Sequence, residues 1–361
     1  MRKLVLFLCL VVLAALPVSM AAQDEMTSWT CPDGFAGQTL SVFNWSTYVA
    51  EDTISNFEAL CGVTVIYDVF ESNEALLARL AGGNPGYDVI FPTDYMVSQM
   101  IGRELLMPLD HSLIPNIANL NPVFTDKGFD PGNTYSLPYQ WGTIGIGYNR
   151  TKVGEDITSW EQVFAYEGSV AWLEDLRSMF GVGLLMLGYD PNSNSPDEIA
   201  QARDYLVAHG ANVVAIAADD GQAMLARGDV DITIEFSGDI FQVLAECECE
   251  DYAYVIPQEG TPTWMDNMAI PVDAPNAPLA HVFMDYILDA KVGADISNYT
   301  AYGSPNKASV DDGLIDPELL DNPAIYPSAD TEERLFFIEE RTDVEQNYND
   351  AWDELKILLG R

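Results

Sequence analysis

The chain has 361 residues, 48% of them hydrophobic, enough for two ordinary domains with packed cores and too apolar for a disordered chain. Its 56 acidic residues outnumber 16 basic ones, for a formal net charge of −40. That balance excludes nucleic acid as a partner, since phosphate binding needs clustered Lys and Arg, and it favours cationic ligands.

At the N-terminus Arg2 and Lys3 precede an apolar run from Leu4 to Leu16, then Pro17 and the small-residue stretch Ser19-Met20-Ala21-Ala22. A basic start, a short apolar core and an Ala-rich exit describe a secretory signal peptide over 1–22. The run is shorter than the ~20 residues a membrane span needs. Cys9 lies inside the apolar core, so a lipid-bearing cysteine after cleavage is not expected. No later segment is apolar enough to span a bilayer, and a soluble exported chain follows. Cleavage leaves four cysteines in a compartment that permits disulfides. Cys31 and Cys61 each precede a strand, and neighbouring strand starts can bring them together. Cys247 and Cys249 sit in Glu-Cys-Glu-Cys-Glu, where disulfides or free thiols are favoured over a metal because no histidine is nearby.

Residues 23–38 read as an irregular leader. Leu40–Asn44 is a short strand, and Glu51–Cys61 a helix with Ile54, Phe57 and Leu60 on one face, acids in its first turn and Gly62 as its stop. Val63–Phe70 is a β-branched strand. Ser72 or Asn73 caps a helix carrying Leu76, Leu77 and Leu80, which Gly82-Gly83-Asn84-Pro85-Gly86 breaks before a strand over Tyr87–Phe91. A second β/α run starts near Gly168. It has strands over Val170–Leu173, Val213–Ala218, Val230–Phe236 and Tyr252–Pro257, with helices between them. Alternation of this kind predicts mainly parallel sheets flanked by helices.

Three extended stretches connect the two runs: Ser136–Asn149, Trp264–Pro271 and the segment around Tyr302-Gly303-Ser304. Several glycine-bearing crossings make a hinge that closes two lobes over a cleft. The expected division is 39–141 plus 265–307 for the first lobe, and 142–264 plus 308–361 for the second. Ligands of open α/β sheets sit outside the carboxyl ends of strands, which places the loops after Asn44, Phe91, Leu173 and Phe236 around that cleft.

Those loops interleave rings and acids: Asn44-Trp45-Ser46-Thr47-Tyr48, Pro92-Thr93-Asp94-Tyr95, Trp172 with Glu174 and Asp175, and Glu235-Phe236-Ser237-Gly238-Asp239. The crossings add Trp264-Met265-Asp266 and Tyr302, and the only basic residue nearby is Arg177. An alkyl polyammonium suits such a lining. Each ammonium leaving water needs a carboxylate partner, and aromatic faces attract the cation by about 0.5–2 kcal/mol each while covering the methylene stem.

At these residues the chain resembles the spermidine/putrescine-binding proteins of bacterial ABC transporters. The resemblance runs from about Leu40 to Leu359. It rests on Asn44-Trp45-Ser46-x-Tyr48, Tyr67 to Glu74, Tyr87-Asp88-Val89, Pro138-Tyr139-x-Trp141-Gly142 with Gly145-Ile146-Gly147, and Trp264-Met265-Asp266 leading to Ala269-Ile270-Pro271. It implies a two-lobe periplasmic binding fold, a monomer in the periplasm, a small polyamine as ligand and an inner-membrane ABC permease as partner. It also implies site residues. Trp45, Tyr48, Tyr95 and Tyr302 are aromatic walls, and Ser46 falls in the first cleft loop. Thr93 is a small hydroxyl contact, Asp175 and Asp239 are acids, and Phe236 stands where the family has Trp. Trp264 and Asp266 form an aromatic-x-acid pair, with Asp266 the chief ammonium partner. Thr47 and Ser178 depart from acids of the family, for which Asp94 or Glu235 can compensate.

An enzyme is not expected. The three histidines, His111, His209 and His281, fall outside the cleft loops, so a Ser-His-Asp arrangement lacks its base and no zinc-type pair exists. No cofactor is called for. Another organic cation, a quaternary ammonium or a basic amino-acid derivative, remains the alternative ligand, and sensing the alternative role.

Overall fold

The computed structural model describes residues 27–361 except 219, 248–250 and 342. The expected signal segment 1–22 and Cys249 lie outside the described residues, as does the side chain of Cys247. No helix among the described residues is long and apolar enough to cross a membrane.

Ten strands join in chain order: β1 Thr39–Trp45, β2 Thr64–Phe70, β3 Val89–Ile90, β4 Ser136–Asn149, β5 Val170–Leu173, β6 Val213–Ala217, β7 Ile232–Phe236, β8 Tyr252–Val255, β9 Thr261–Ala269 and β10 Leu335–Phe337. They lie in the order β2-β1-β3-β9-β4-β7-β5-β6, with β10 on β9 and β8 on β4. The β/α runs pair in parallel, β2-β1-β3 at one end and β7-β5-β6 at the other. The long connectors β4 and β9 run antiparallel to each other. β4 pairs with β9 from Ser136 to Thr143, then with β7 from Ile144 to Tyr148, so one strand passes from one sheet into the next between adjacent residues.

Local sequence accounts for the element ends. The helix Thr53–Cys61 stops where Gly62 turns left-handed (φ 65°) and its amide bonds the Glu58 carbonyl. It starts two residues later than expected, so Glu51 and Asp52 precede its first turn. Ser72 caps the helix Asn73–Leu80 by accepting the Ala75 amide at 3.1 Å. β3 is shorter than the expected Tyr87–Phe91, because the Asn84 side chain accepts the Gly86 and Tyr87 amides and holds that stretch in a turn. Cys31 and Cys61 are joined in a disulfide that ties the leader to the helix Thr53–Cys61.

One apolar cluster packs the helix Asp94–Gly102 and the helix Asn73–Leu80 against Phe43, Phe70 and Ala269. The larger core runs through the connectors into the far end, where Phe180, Trp172, Leu206 and Trp352 pack. The segment expected to make a third crossing meets β4 through an isolated bridge between Trp141 and Gly303. A Cβ on Gly303 would lie 2.5 Å from the Trp141 ring, and one on Gly142 would lie 2.8 Å from Trp264 and 3.1 Å from Tyr302. Neither glycine has a positive φ. These glycines admit aromatic rings; freedom of backbone rotation does not explain them.

Candidate functional site

The strand ends and crossings converge as the β/α topology requires. β1 ends at Trp45, and the turn after it carries Ser46 and Tyr48. Thr93 precedes the helix Asp94–Gly102, which opens with Asp94 and Tyr95. Asp175 caps the helix Leu176–Met186. β7 ends at Phe236, and the helix Ser237–Cys247 brings in Asp239. β9 contributes Trp264 and Asp266, and Tyr302 follows the helix Ala290–Thr300. All twelve expected site residues line one cleft.

Two tyrosine–acid pairs organise the cleft. Tyr48 donates its hydroxyl to Asp266 Oδ2 at 2.8 Å, and Thr93 donates to Asp266 Oδ1 at 2.6 Å. Tyr302 donates to Asp239 Oδ2 at 2.8 Å. The rings between them stand edge-on or tilted. Trp264 lies 5.1 Å from Tyr302, 5.7 Å from Phe236 and 6.5 Å from Tyr48. Trp45 is held by Phe70 at 4.5 Å and donates its indole N–H to the Phe91 carbonyl at 3.0 Å. Tyr95 donates to Glu74 at 3.3 Å.

Burial dominates the electrostatics. It pushes Asp266 up to about 7, against the hydroxyls of Thr93 and Tyr48, which favour its charge. Burial raises Asp94 to about 8, against the amides of Met265 and Tyr95, and also raises Asp175, against the Ser178 amide. Three carboxyls whose charged forms burial disfavours, in one cleft with no basic residue in its lining, make a site that gains from an incoming cation.

Some expectations change. Trp172 is 1% exposed and packs on Phe164 in the core, away from the cleft. Glu174 faces outward and pairs with Lys356. Arg177 lies over the Tyr348 ring and donates to the Glu339 carbonyl at 3.0 Å. Glu235 turns to the opposite face of β7, where its carboxylate lies beside Gly221, so it does not compensate for Thr47 or Ser178. Asp94 lines the cleft but ties the chain together, accepting the Tyr95 amide at 2.6 Å and the Met265 amide at 2.9 Å. Thr47 is absent from the lining, whereas Ser178 is part of it. None of the three histidines lines the cleft, and His281 accepts the Asp110 amide at 3.0 Å.

Sequence reading missed Asn73, Ile144, Pro262, Thr263 and Ile338 in the lining. Alternation along β9, which puts 262, 264 and 266 on one face, could have found Pro262. Asn73 reads as a helix cap, and Ile338 lies in a segment whose pairing with β9 no local pattern announces.

Residues 52–327 match the family model described as bacterial extracellular solute-binding protein. The chain is 33% identical over 340 residues to the putrescine-binding periplasmic protein PotF of Escherichia coli K12, covering 88% of this chain and 91% of that one. It is 34% identical over 326 residues to spermidine/putrescine-binding periplasmic protein 1 of Haemophilus influenzae, covering 89% of each. The solved spermidine/putrescine ABC transporter substrate-binding protein PotD of Streptococcus pneumoniae superposes with a TM-score of 0.76 at 33% identity, covering 90% of this chain and 100% of that one. The mixed α/β architecture is thus the two-lobe fold of periplasmic binding proteins. Fold and relatives agree, and the chain belongs to the bacterial extracellular solute-binding protein family, whose members bind and carry solutes for transport and are not enzymes.

Proposed function

We propose that the chain captures a linear polyamine of the putrescine/spermidine class in this cleft and delivers it to an ABC permease in the inner membrane. The observation that carries the reading is the placement of Asp266 and Asp239 in one cleft, each oriented by a tyrosine hydroxyl, with the rings of Trp264, Phe236, Tyr48 and Tyr302 between them. An ammonium at each acid and an alkyl stem along the rings satisfies both the buried charges and the apolar lining. The names of the relatives support the same ligand class. Trp45, Ser46, Thr93, Tyr95 and Asp175 complete the contacts, and Asp94 holds β9 in place behind them.

In this reading residues 1–22 direct export and are removed, and the mature chain works in the periplasm as a monomer. The lobes comprise 39–141 plus 265–307, and 142–264 plus 308–361; they close on the ligand about β4, β9 and the Trp141–Gly303 bridge. The test is to unfold the purified protein, strip and refold it, and titrate putrescine, spermidine, spermine, glycine betaine and arginine by calorimetry. Micromolar or tighter binding of at least one polyamine is expected. Heat from betaine or arginine with none from any polyamine overturns the assignment.

A further inference from the structure

Asn73 lines the cleft yet has no place among the acids and rings described above. It opens the helix Asn73–Leu80, which Ser72 caps and whose Leu76 and Leu77 are buried, and is only 4% exposed. Its carboxamide makes two bonds to Thr93 and also reaches the Tyr95 hydroxyl. Asn73 Oδ1 accepts the Thr93 amide at 3.2 Å, and Asn73 Nδ2 donates to Thr93 Oγ1 at 2.8 Å. The first bond decides the second: with Oδ1 facing a backbone N–H, the atom facing the hydroxyl is the amide nitrogen. An amide nitrogen only donates, and a hydroxyl has a single proton. Thr93 Oγ1 must therefore accept from Asn73, and its proton is directed at Asp266 Oδ1, 2.6 Å away. The Thr93–Asp266 backbone bridge fixes the distance.

We propose that Asn73 is a positioning residue that sets the direction of the Thr93 hydroxyl and thereby holds Asp266 as the acceptor of a ligand ammonium. The proposal rests on the polyamine reading for the identity of that ligand. With Tyr48 on Oδ2 and Thr93 on Oδ1, each oxygen of Asp266 receives one donor and keeps a lone pair for the cleft. Both donors favour the ionised form against burial, so the relay works in the direction ligand capture needs. The other titratable groups facing Asp266 do not replace it. Tyr48 already donates, Tyr139 donates to the Tyr48 carbonyl, and Asp94 is taken by two backbone amides.

The experiment combines Asn73→Ala, Thr93→Val and the double variant. Putrescine and spermidine are titrated calorimetrically at pH 6, 7 and 8, and the Asp266 carboxyl carbon is followed by NMR in the ligand-free protein, assigned against Asp266→Asn. Asn73→Ala is expected to raise the Asp266 midpoint by about one unit, and so to weaken binding about tenfold at pH 6 and less at pH 8. In the Thr93→Val background it should change neither quantity. Asn73→Asp should be worse than Asn73→Ala, because it accepts the Thr93 proton and adds a like charge. An unmoved midpoint, or an equal loss in the Thr93→Val background, overturns the relay. The NMR midpoint needs no ligand, so a wild-type protein that binds neither polyamine sinks the polyamine reading alone, leaving the relay to be judged on that midpoint.

Discussion

The rings of Tyr48 and Tyr302 meet edge to face at 5.4 Å, yet their hydroxyls serve different acids, Asp266 and Asp239, each at 2.8 Å. Both tyrosines follow a non-glycine residue in the left-handed region, Thr47 at φ 47° and Ala301 at φ 57°. That conformation is uncommon for residues with a Cβ and costs of order 1 kcal/mol. Here it turns the chain sharply at the end of β1 and at the end of the helix Ala290–Thr300, so that two remote segments aim hydroxyls into one cleft.

Ligand capture is expected to be linked to protons. Burial holds Asp266 at about 7 and Asp94 at about 8, whereas alkyl ammonium groups near 10.4 stay charged over this range. An ammonium requires Asp266 ionised, so below pH 7 binding must release its proton. Affinity for putrescine or spermidine should rise by up to about tenfold per unit from pH 6 to 7 and level off above. Calorimetry in buffers of different ionisation enthalpy measures the proton count; zero protons released at pH 6 refutes the linkage.

Asp266→Asn should separate stability from binding. The folded-state value of about 7 lies above the ordinary carboxyl value of about 3.9. The proton on Asp266 therefore stabilises the fold fully below about pH 4, and this contribution is lost as pH rises through about 7. The amide has no such loss, so the ligand-free variant should melt higher than wild type at pH 8 and close to it at pH 4. Polyamine binding should weaken by about 2 kcal/mol or more, since a buried ammonium loses its partner. A lower melting temperature at pH 8 contradicts the burial of that charge.

Glu345, at the start of the helix Glu345–Leu359, accepts from Gln99 Nε2 at 2.8 Å and pairs with Arg103 at 3.4 Å, both at the end of the helix Asp94–Gly102. In the proposed division these residues belong to different lobes, so Glu345→Ala should loosen the proposed closed state. The Arg103–Glu345 side chains are 44% and 36% exposed, so the contact is worth at most about 1 kcal/mol. Stopped-flow should show the ligand leaving up to about fivefold faster with little change in association; a change confined to association would place the effect in encounter.

Replacing both Cys31 and Cys61 with Ser releases a loop of 30 residues. The chain-entropy estimate is a loss of about 3.6 kcal/mol. Thermal melts should show it, while calorimetry at 25 °C should find polyamine affinity unchanged, because the bridge lies in the leader and the helix Thr53–Cys61, outside the cleft lining.

The β/α alternation was legible because its signals are local. Apolar spacing in Thr53–Cys61, the Ser72 cap and the Gly62 stop each act within a few residues. The cleft loops were legible too, because a parallel strand's carboxyl end fixes where its loop goes. What failed was direction at strand ends. Trp172 and Asp175 are three residues apart, yet one packs in the core and the other caps a helix at the cleft. Glu235 and Phe236 are adjacent and face opposite ways, because side chains alternate along β7 and only the packed sheet says which face is which.

By itself, the sequence determined an α/β chain and a cluster of rings and acids fit for a cation, since periodicity, caps and composition are read within short windows. Only the tertiary structure decided that Gly142 and Gly303 make room for Trp264 and Trp141, that Glu235 leaves the cleft, and that Asn73 enters it behind Thr93. Those outcomes depend on contacts between segments far apart in the chain, and no local pattern carries them.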